Sequence, residues 1–391
     1  MRDQETLRES MAKKLGCPGV AAALLVLAVV CAGLPSGCSG GRSVDKEARK
    51  PVGLALPFGE LAEKSKALVT IAGAGDVNFG DGVTPYISSG GVDYPWESAS
   101  AVFKNSDLGF VNLECCISSD GSPAPGKEFT FRGPADSATG LSSAGVRVVS
   151  LANNHSKDFG TGALLETLAH LKENEVAYCG AGNNAAEAYS PAVLTAHGRK
   201  VAFLAFTGVV PDGWAATESN PGCAVTFDHD RVASAIRDAK AKNDFVVASF
   251  HWGIELATSP GADQRGLAHL AVDSGADLVL GHHPHVVQGL ELYRNRLIAY
   301  SLGNFIFSPP REISSKTFAV MAVLGPEGLV QAKIVPMFIS ACRPVIVSGG
   351  AATSWLGTVA GYCRELGTGM TVRGERGFIG GSPAQSGSPP R

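Results

Sequence analysis

The sequence predicts an α/β fold built as a single large domain. Apolar runs of strand length alternate along the chain with stretches of helical periodicity. No repeat with a period of roughly 20–50 residues breaks that alternation. The third observation concerns where the strands stop. One after another they end in a polar cluster, at the edge where open α/β sheets bind ligands. With 391 residues, 45% of them hydrophobic, the chain can bury a substantial core.

Each element follows from its local pattern. The first strand, 68–74, delivers Gly75-Asp76-Val77-Asn78-Phe79-Gly80, and a second, 108–111, ends in Asn112-Leu113-Glu114. A polar loop, 121–134, carries Lys127, Phe129 and Arg132. The strand 146–151 runs into Ala152-Asn153-Asn154-His155. A helix over 160–175 follows, with Leu164, Leu165, Leu168 and Leu171 on one face. Another strand is read at 200–206 and a helix at 232–242; the strand 245–250 then ends in His251-Trp252-Gly253-Ile254-Glu255. After a helix at 264–272, the strand 277–280 leads into Gly281-His282-His283-Pro284-His285, and 297–300 into Ser301-Leu302-Gly303-Asn304-Phe305. Gly-Pro-Glu-Gly between 318–324 and 329–335 predicts a hairpin. Residues 367–391, rich in Gly, Ser, Pro and Arg, read as a disordered tail.

The start reads as a targeting segment rather than part of the fold. Lys13 and Lys14 precede an uncharged apolar run, 20–34, shorter than the roughly 20 residues that span a bilayer comfortably. Ser36-Gly37-Cys38 resembles the end of a bacterial lipobox, with Pro35 where an aliphatic residue is usual. Residues 1–38 are therefore expected to be an export signal, ended by lipidation at Cys38, by ordinary cleavage nearby, or left as an uncleaved anchor. Each outcome places the domain outside the cytoplasm, attached to or released from the membrane. Residues 39–66 read as a flexible tether.

A formal net charge of −3 gives no global basic field, so a nucleic-acid partner is not expected. Export permits disulfides, and Cys342 with Cys363 is one pairing the sequence allows. Cys115-Cys116 read as packing residues, and no CxxC metal spacing occurs.

The strand ends together offer carboxylates, amides and imidazoles. Such a mixed oxygen and nitrogen set suits Mn, Fe or Zn. A site for two divalent ions needs a shared carboxylate, terminal ligands and a nearby acid. Asp76 is the expected shared or anchoring carboxylate. Glu114 is read as serving one ion and Asn154 and His251 the other, with His283 and His285 divided between them. His155 points elsewhere than Asn154 and is placed to protonate a leaving oxygen. Asp158 either orients that imidazole or caps the helix behind it. Arg132 either clamps an anionic substrate or makes a surface ion pair. Glu255 orients His251 or is a plain loop carboxylate; His282 is a supporting or packing residue; Asn304 hydrogen-bonds the loops of the site; Asn78 completes the set of residues near substrate or ligands.

In order, Asp76, Glu114, Asn154-His155, His251 and His283-Pro284-His285 resemble the ligand series of calcineurin-like metallophosphoesterases. More closely, GDVNFG, NLECCIS, FTFRGP, LANNHSKDFG, HWGIE, GHHPHVVQGLE and YSLGNFIF resemble the CapA family of bacterial capsule synthesis proteins, over about 68–363. That resemblance implies a four-layer α/β/β/α sandwich over 67–366. It further implies metal at Asp76, Glu114, Asn154, His251, His283 and His285, His155 as acid, and a role in making or anchoring an anionic polymer of the poly-γ-glutamate type. Two positions depart from the wider group, which has His where Asn78 stands and Asp where Glu114 stands. The alternatives are a non-catalytic polymer-binding subunit of a membrane synthase and an envelope metallophosphatase unrelated to capsule.

Overall fold

The computed structural model describes residues 67–309 and 311–380. The expected export signal, the tether and the end of the tail lie outside the described residues. Two large sheets dominate. The first runs in the order Thr371–Arg373, Arg376–Ile379, Gly328–Ser340, Lys316–Gly325, Val69–Val77, Leu108–Leu113, Val146–Ser150, Ala177–Cys179. Its last four strands are mutually parallel, and Asn304–Ile306 adds in parallel alongside Val69–Val77. The second sheet runs Leu290–Tyr293, Arg296–Ala299, Leu278–His282, Phe245–His251, Arg199–Thr207, Ala192–Ala196, parallel in the centre with an antiparallel strand at each edge.

The period-2 alternation of the strands sorts their side chains into three cores. Ile71, Phe110 and Val148 of the first sheet face Val201, Phe203, Val247 and Leu280 of the second in a middle core. Their neighbours Ala72, Val111 and Val149 turn outward onto Leu141, Leu164 and Leu168, from the helices Ser137–Ala144 and Gly160–Glu173. On the far side Leu204, Phe206 and Phe250 meet Val232, Ile236 and Leu267, from His229–Lys240 and Ala262–Asp273. Three cores between four layers make the α/β/β/α sandwich. Phe110 and Phe203 stack across the two sheets with centroids 5.8 Å apart, a contact worth about 0.5–1.5 kcal/mol beyond its buried area.

Several expectations hold and some are corrected. The hairpin forms, with Gly325 opposite Gly328. The tail does not begin at 367: Thr371–Arg373 and Arg376–Ile379 pair with each other and extend the first sheet along Gly328–Ser340. Ile379 is buried in the middle core, so one well-placed apolar residue outweighs the loop-like composition around it. The sequence reading also contains no helix over 349–365. Gly349–Glu365 is one, and it buries Ala352, Leu356, Val359 and Cys363 at helical spacing. Cys342 and Cys363 are both free: Cys342 packs in the outer core of the first sheet and Cys363 in the middle core. Cys115 and Cys116 are buried packing residues, as read. Among the described residues no helix is long and apolar enough to cross a membrane.

Candidate metal centre

Two close backbone approaches seat the site. A Cβ on Gly75 would lie 1.8 Å from the Gly303 carbonyl oxygen, and one on Gly281 would lie 2.0 Å from that of Tyr300. Only glycine fits either position. The first approach lets the Asp76 N–H donate to the Gly303 carbonyl at 2.9 Å and sets Asp76 beside Asn304. The second packs the end of Leu278–His282 against Tyr300, and the turn that follows sets His283 N 3.4 Å from Asp76 Oδ2. His283 and His285 both adopt left-handed backbone, at φ 93° and 56°. Such strain in non-glycine residues persists where surrounding structure holds it and clusters at functional sites.

Asp76 and Glu114 are both fully buried. Asn112 donates to Asp76 Oδ1 at 2.9 Å, and His282 Nδ1 lies 3.3 Å from the same oxygen. Burial works to raise the Asp76 carboxyl, but the adjacent His282 and His285 imidazoles and the Asn112 amide outweigh it and hold it below its usual value. Glu114 has no such support: neither carboxylate oxygen has a hydrogen-bond partner. Burial, reinforced by the Asp76 charge, pushes its carboxyl well up. Around Glu114 Oε1 stand His251 Nε2 at 3.5 Å, His285 Nε2 at 3.8 Å and His155 Nε2 at 3.9 Å.

These atoms resolve into two overlapping groups. Glu114, His283 and His285 form one, and Asp76, Glu114 and His251 the other; within each, the ligand atoms lie within 4.8 Å of one another. Glu114 is the residue common to both groups, and Asp76, expected as the shared or anchoring carboxylate, belongs to one of them. Asp76 already has Asn112 and His282 against it, whereas Glu114 sits uncompensated at the centre. The donors fit divalent cations: a buried carboxylate without a partner, an unpartnered His283 Nδ1, and imidazoles held neutral. Burial, together with the neighbouring His285, lowers His283 to about 4. Burial with the surrounding histidines lowers His251 well below its ordinary value.

The family-model comparison then decides the affiliation. Residues 70–309 match the bacterial capsule synthesis protein PGA_cap family. The chain belongs to that family. Among PGA_cap relatives, it is 31% identical to the capsule biosynthesis protein CapA of Bacillus anthracis, covering 71% of this chain and 69% of that one. It is 30% identical to the PGA biosynthesis protein CapA of Bacillus subtilis, covering 70% and 72%. Among solved structures, the NAD nucleotidase of Haemophilus influenzae aligns at a TM-score of 0.36 and 13% identity over 74% of this chain and 55% of that one. So distant a likeness carries no argument about activity.

The remaining expected residues of this PGA_cap site sort themselves by contact. Asn154 Oδ1 lies 2.8 Å from His251 Nε2, on the side of the ring that faces Glu114. His155 presents Nε2 toward Glu114, while its Nδ1 meets Asp158 Oδ2 at 2.6 Å. Burial lowers His155, partly opposed by the Asp158 hydrogen bond and charge. Asp158 is thus the orienting carboxylate. It does not cap the helix, whose N-cap Phe159 makes no side-chain cap bond. Asn304 is close to the ligands, with Oδ1 2.8 Å from His285 Nδ1. His282 is fully buried against Asp76 and Phe110, a supporting residue.

Three residues make their contacts away from the two groups, Glu255 as the plain loop carboxylate of its two readings. The Asn78 side chain accepts from Gly80 N at 2.8 Å and serves a turn. Arg132 stacks on Phe159 at 4.2 Å and donates to the carbonyls of Asp120 and Gly121, so it is committed to its own loop rather than to an ion pair. Glu255 is exposed; the partners of His251 are instead Asn154 and Asn112, the latter 3.3 Å from Nδ1.

Sequence reasoning missed four others. Asn112 lies two residues before Glu114 and bridges Asp76 to His251. Asn153 donates to Asn112 Oδ1 at 3.1 Å and accepts from His155 N at 2.9 Å. Phe131 stacks on the His155 ring at 4.2 Å, and its N–H donates to Asp158 at 2.6 Å. Lys127 donates to Asp158 Oδ1 and to the Asn154 carbonyl, with Nζ 3.0 Å from His155 Nδ1. The signal for the two asparagines was in the sequence, as amides flanking Glu114 and His155.

Proposed function

We propose that this PGA_cap protein is held at the outer face of the membrane by its N-terminal segment. There it acts on an anionic capsule polymer of the poly-γ-glutamate type, alongside the synthase that makes it, through a phosphoesterase-like site for two divalent ions. Asp76, Glu114 and His251 would hold one ion; Glu114, His283 and His285 the other, with Asn154 beside His251. Bound there, such ions polarise a substrate oxygen and offset developing negative charge.

The protein's own groups do the rest. Asn112 fixes Asp76, and Asn153 fixes Asn112 and the His155 backbone. Phe131 covers the His155 ring, and Asp158 holds Nδ1, so Nε2 is the nitrogen that meets the leaving group and gives it a proton. Lys127 keeps Asp158 and the Asn154 carbonyl in place. The observation that carries this reading is Glu114, a fully buried carboxylate whose two oxygens have no partner and whose neighbours are three imidazole nitrogens within 4 Å. An uncompensated carboxylate in such a place is costly unless a cation neutralises it.

A second reading, a polymer-binding subunit without turnover, is favoured by Asn78. At the position where the wider phosphoesterase group has a histidine, this side chain is turned back onto Gly80. The two readings separate in one experiment. Metal content of the purified protein is measured by elemental analysis for wild type and His283→Ala/His285→Ala, with hydrolysis of a phosphodiester and of poly-γ-glutamate assayed on the same samples. Metal and turnover lost together support the hydrolase; metal without turnover on either substrate supports the binding subunit. Absence of metal after reconstitution with Mn or Zn sinks the metal-site reading.

A further inference from the structure

Away from the metal centre, a groove of about 550 Å³ runs between the helix His229–Lys240 and the terminal strand of the second sheet, Ala192–Ala196. None of its lining residues belongs to either metal group. One wall is a single helix face continuing past the helix end: Arg231, Ser234, Asp238 and Lys242 recur at helical spacing. From Arg231 to Lys242 that wall is about 16 Å long at 1.5 Å per residue. The opposite wall contributes Lys200, and Tyr189 and Val193 supply apolar surface, with Val193 48% exposed.

The charges are unequal. Asp238 is the one carboxylate among the lining residues, against Arg231, Lys200 and Lys242. Lys200 and Lys242 are exposed, and among the described residues their side chains enter no ion pair. Arg231 lies flat on the Tyr189 ring at 3.9 Å, which holds its guanidinium in place without neutralising it. In a chain of net charge −3, such a concentration of unpaired cations along a groove is local. Cations on both walls over apolar surface match a linear chain with an ionised carboxylate on every unit and methylenes between them.

We infer that this groove binds a segment of a linear polycarboxylate, holding the polymer on the outer face of the second sheet while another segment occupies the metal centre. The assignment rests on the polymer reading above. It predicts two contacts per polymer chain, hence tighter binding of long chains than of short ones, and loss of groove affinity with added salt.

The test uses the full-length protein and fluorescently labelled poly-γ-glutamate, with anisotropy read at low and high salt. The proteins compared are wild type, Lys200→Glu/Arg231→Glu/Lys242→Glu and His283→Ala/His285→Ala. The groove variant should bind about tenfold or more weakly, with unchanged metal content and melting temperature, while the histidine variant keeps the salt-sensitive binding. Lys200→Gln/Lys242→Gln, confined to exposed positions, should give a smaller loss in the same direction. Wild-type affinity in both groove variants overturns the groove and leaves the polymer reading standing. No binding by wild type overturns both. Tighter binding of polyphosphate than of polycarboxylate overturns the ligand class.

Discussion

The first sheet and the strand ends beside it bring carboxylates and amides to the site, Asp76, Asn112, Glu114 and Asn153, whereas the second sheet brings imidazoles, His251, His283 and His285. The carboxylates are fully buried and fixed by regular backbone: Asp76 lies within Val69–Val77, and Glu114 N donates to the Val77 carbonyl at 2.8 Å. The imidazoles at 283 and 285 sit on a turn with left-handed φ. One side thus supplies negative charge that burial makes costly, and the other supplies, in His251 and His283, nitrogen that burial keeps uncharged. The imbalance calls for cations at the seam, and substitutions that change only one side should read differently from those that change the other.

The largest effect is expected at the one residue common to both groups. Glu114→Gln should reduce metal content to near zero by elemental analysis and abolish turnover on any hydrolysed substrate. Freed of ions, the same variant should be more stable than the metal-free wild type, by about 1–3 kcal/mol in urea unfolding, because an uncompensated buried charge is gone. Equal stability of the two metal-free proteins would show that the carboxylate is already protonated or solvated. Next in size, Asp76→Asn and His285→Gln each touch one group only. Each should leave about one ion per chain, and the double variant none. Loss of both ions in either single variant would mean that the two positions fill only together.

A smaller effect distinguishes holding an acid from holding a metal. Lys127→Met should retain its ions and lose about 10–100-fold in kcat, in the range typical of groups that support ligands or catalytic residues. Lys127→Arg should recover part of that loss, since the guanidinium also reaches an oxygen pair. A fall in metal content instead of kcat would place Lys127 in support of Asn154 rather than of the His155–Asp158 pair.

Much of this was readable before any coordinates. The layers follow from alternation, as in Val201 to Phe206, where odd positions face the middle core and even positions the helices. The polar strand ends mark the site because each strand stops at the same sheet edge. What could not be read depends on contacts distant in sequence. Lys127 reaches Asp158 across 31 residues from a loop without periodicity. That Glu114 rather than Asp76 is common to both groups follows from which side chains the two sheets bring together, which spacing does not encode. Arg132 resembled an anion clamp because its chemistry allows one, but Phe159 and two carbonyls claim it. The terminal hairpin was lost to composition, in a stretch that pairs along Gly328–Ser340 and buries Ile379.

The smallest effect lies in the pH dependence of the metal-free protein, where carboxylate and imidazole pull in opposite directions. His283 titrates at about 4 in the fold and at 6.5 when unperturbed. Between those values the unfolded chain binds more protons than the native one, so this group makes stability rise with pH across that window and fall as pH drops through it. Glu114 is raised well above 4.5, so above that value the native state binds more protons, and this group makes stability fall with pH. The two slopes offset each other in the wild type, each being at most about 1.4 kcal/mol per pH unit. His283→Gln should therefore make stability fall with pH relative to wild type from pH 5 to pH 6.5, and Glu114→Gln should make it rise, both measured by urea midpoints of metal-free protein. Identical slopes in the two variants would show that the seam between the sheets does not separate charged from neutral donors. Opposite slopes would make the division between the two sheets a thermodynamic one.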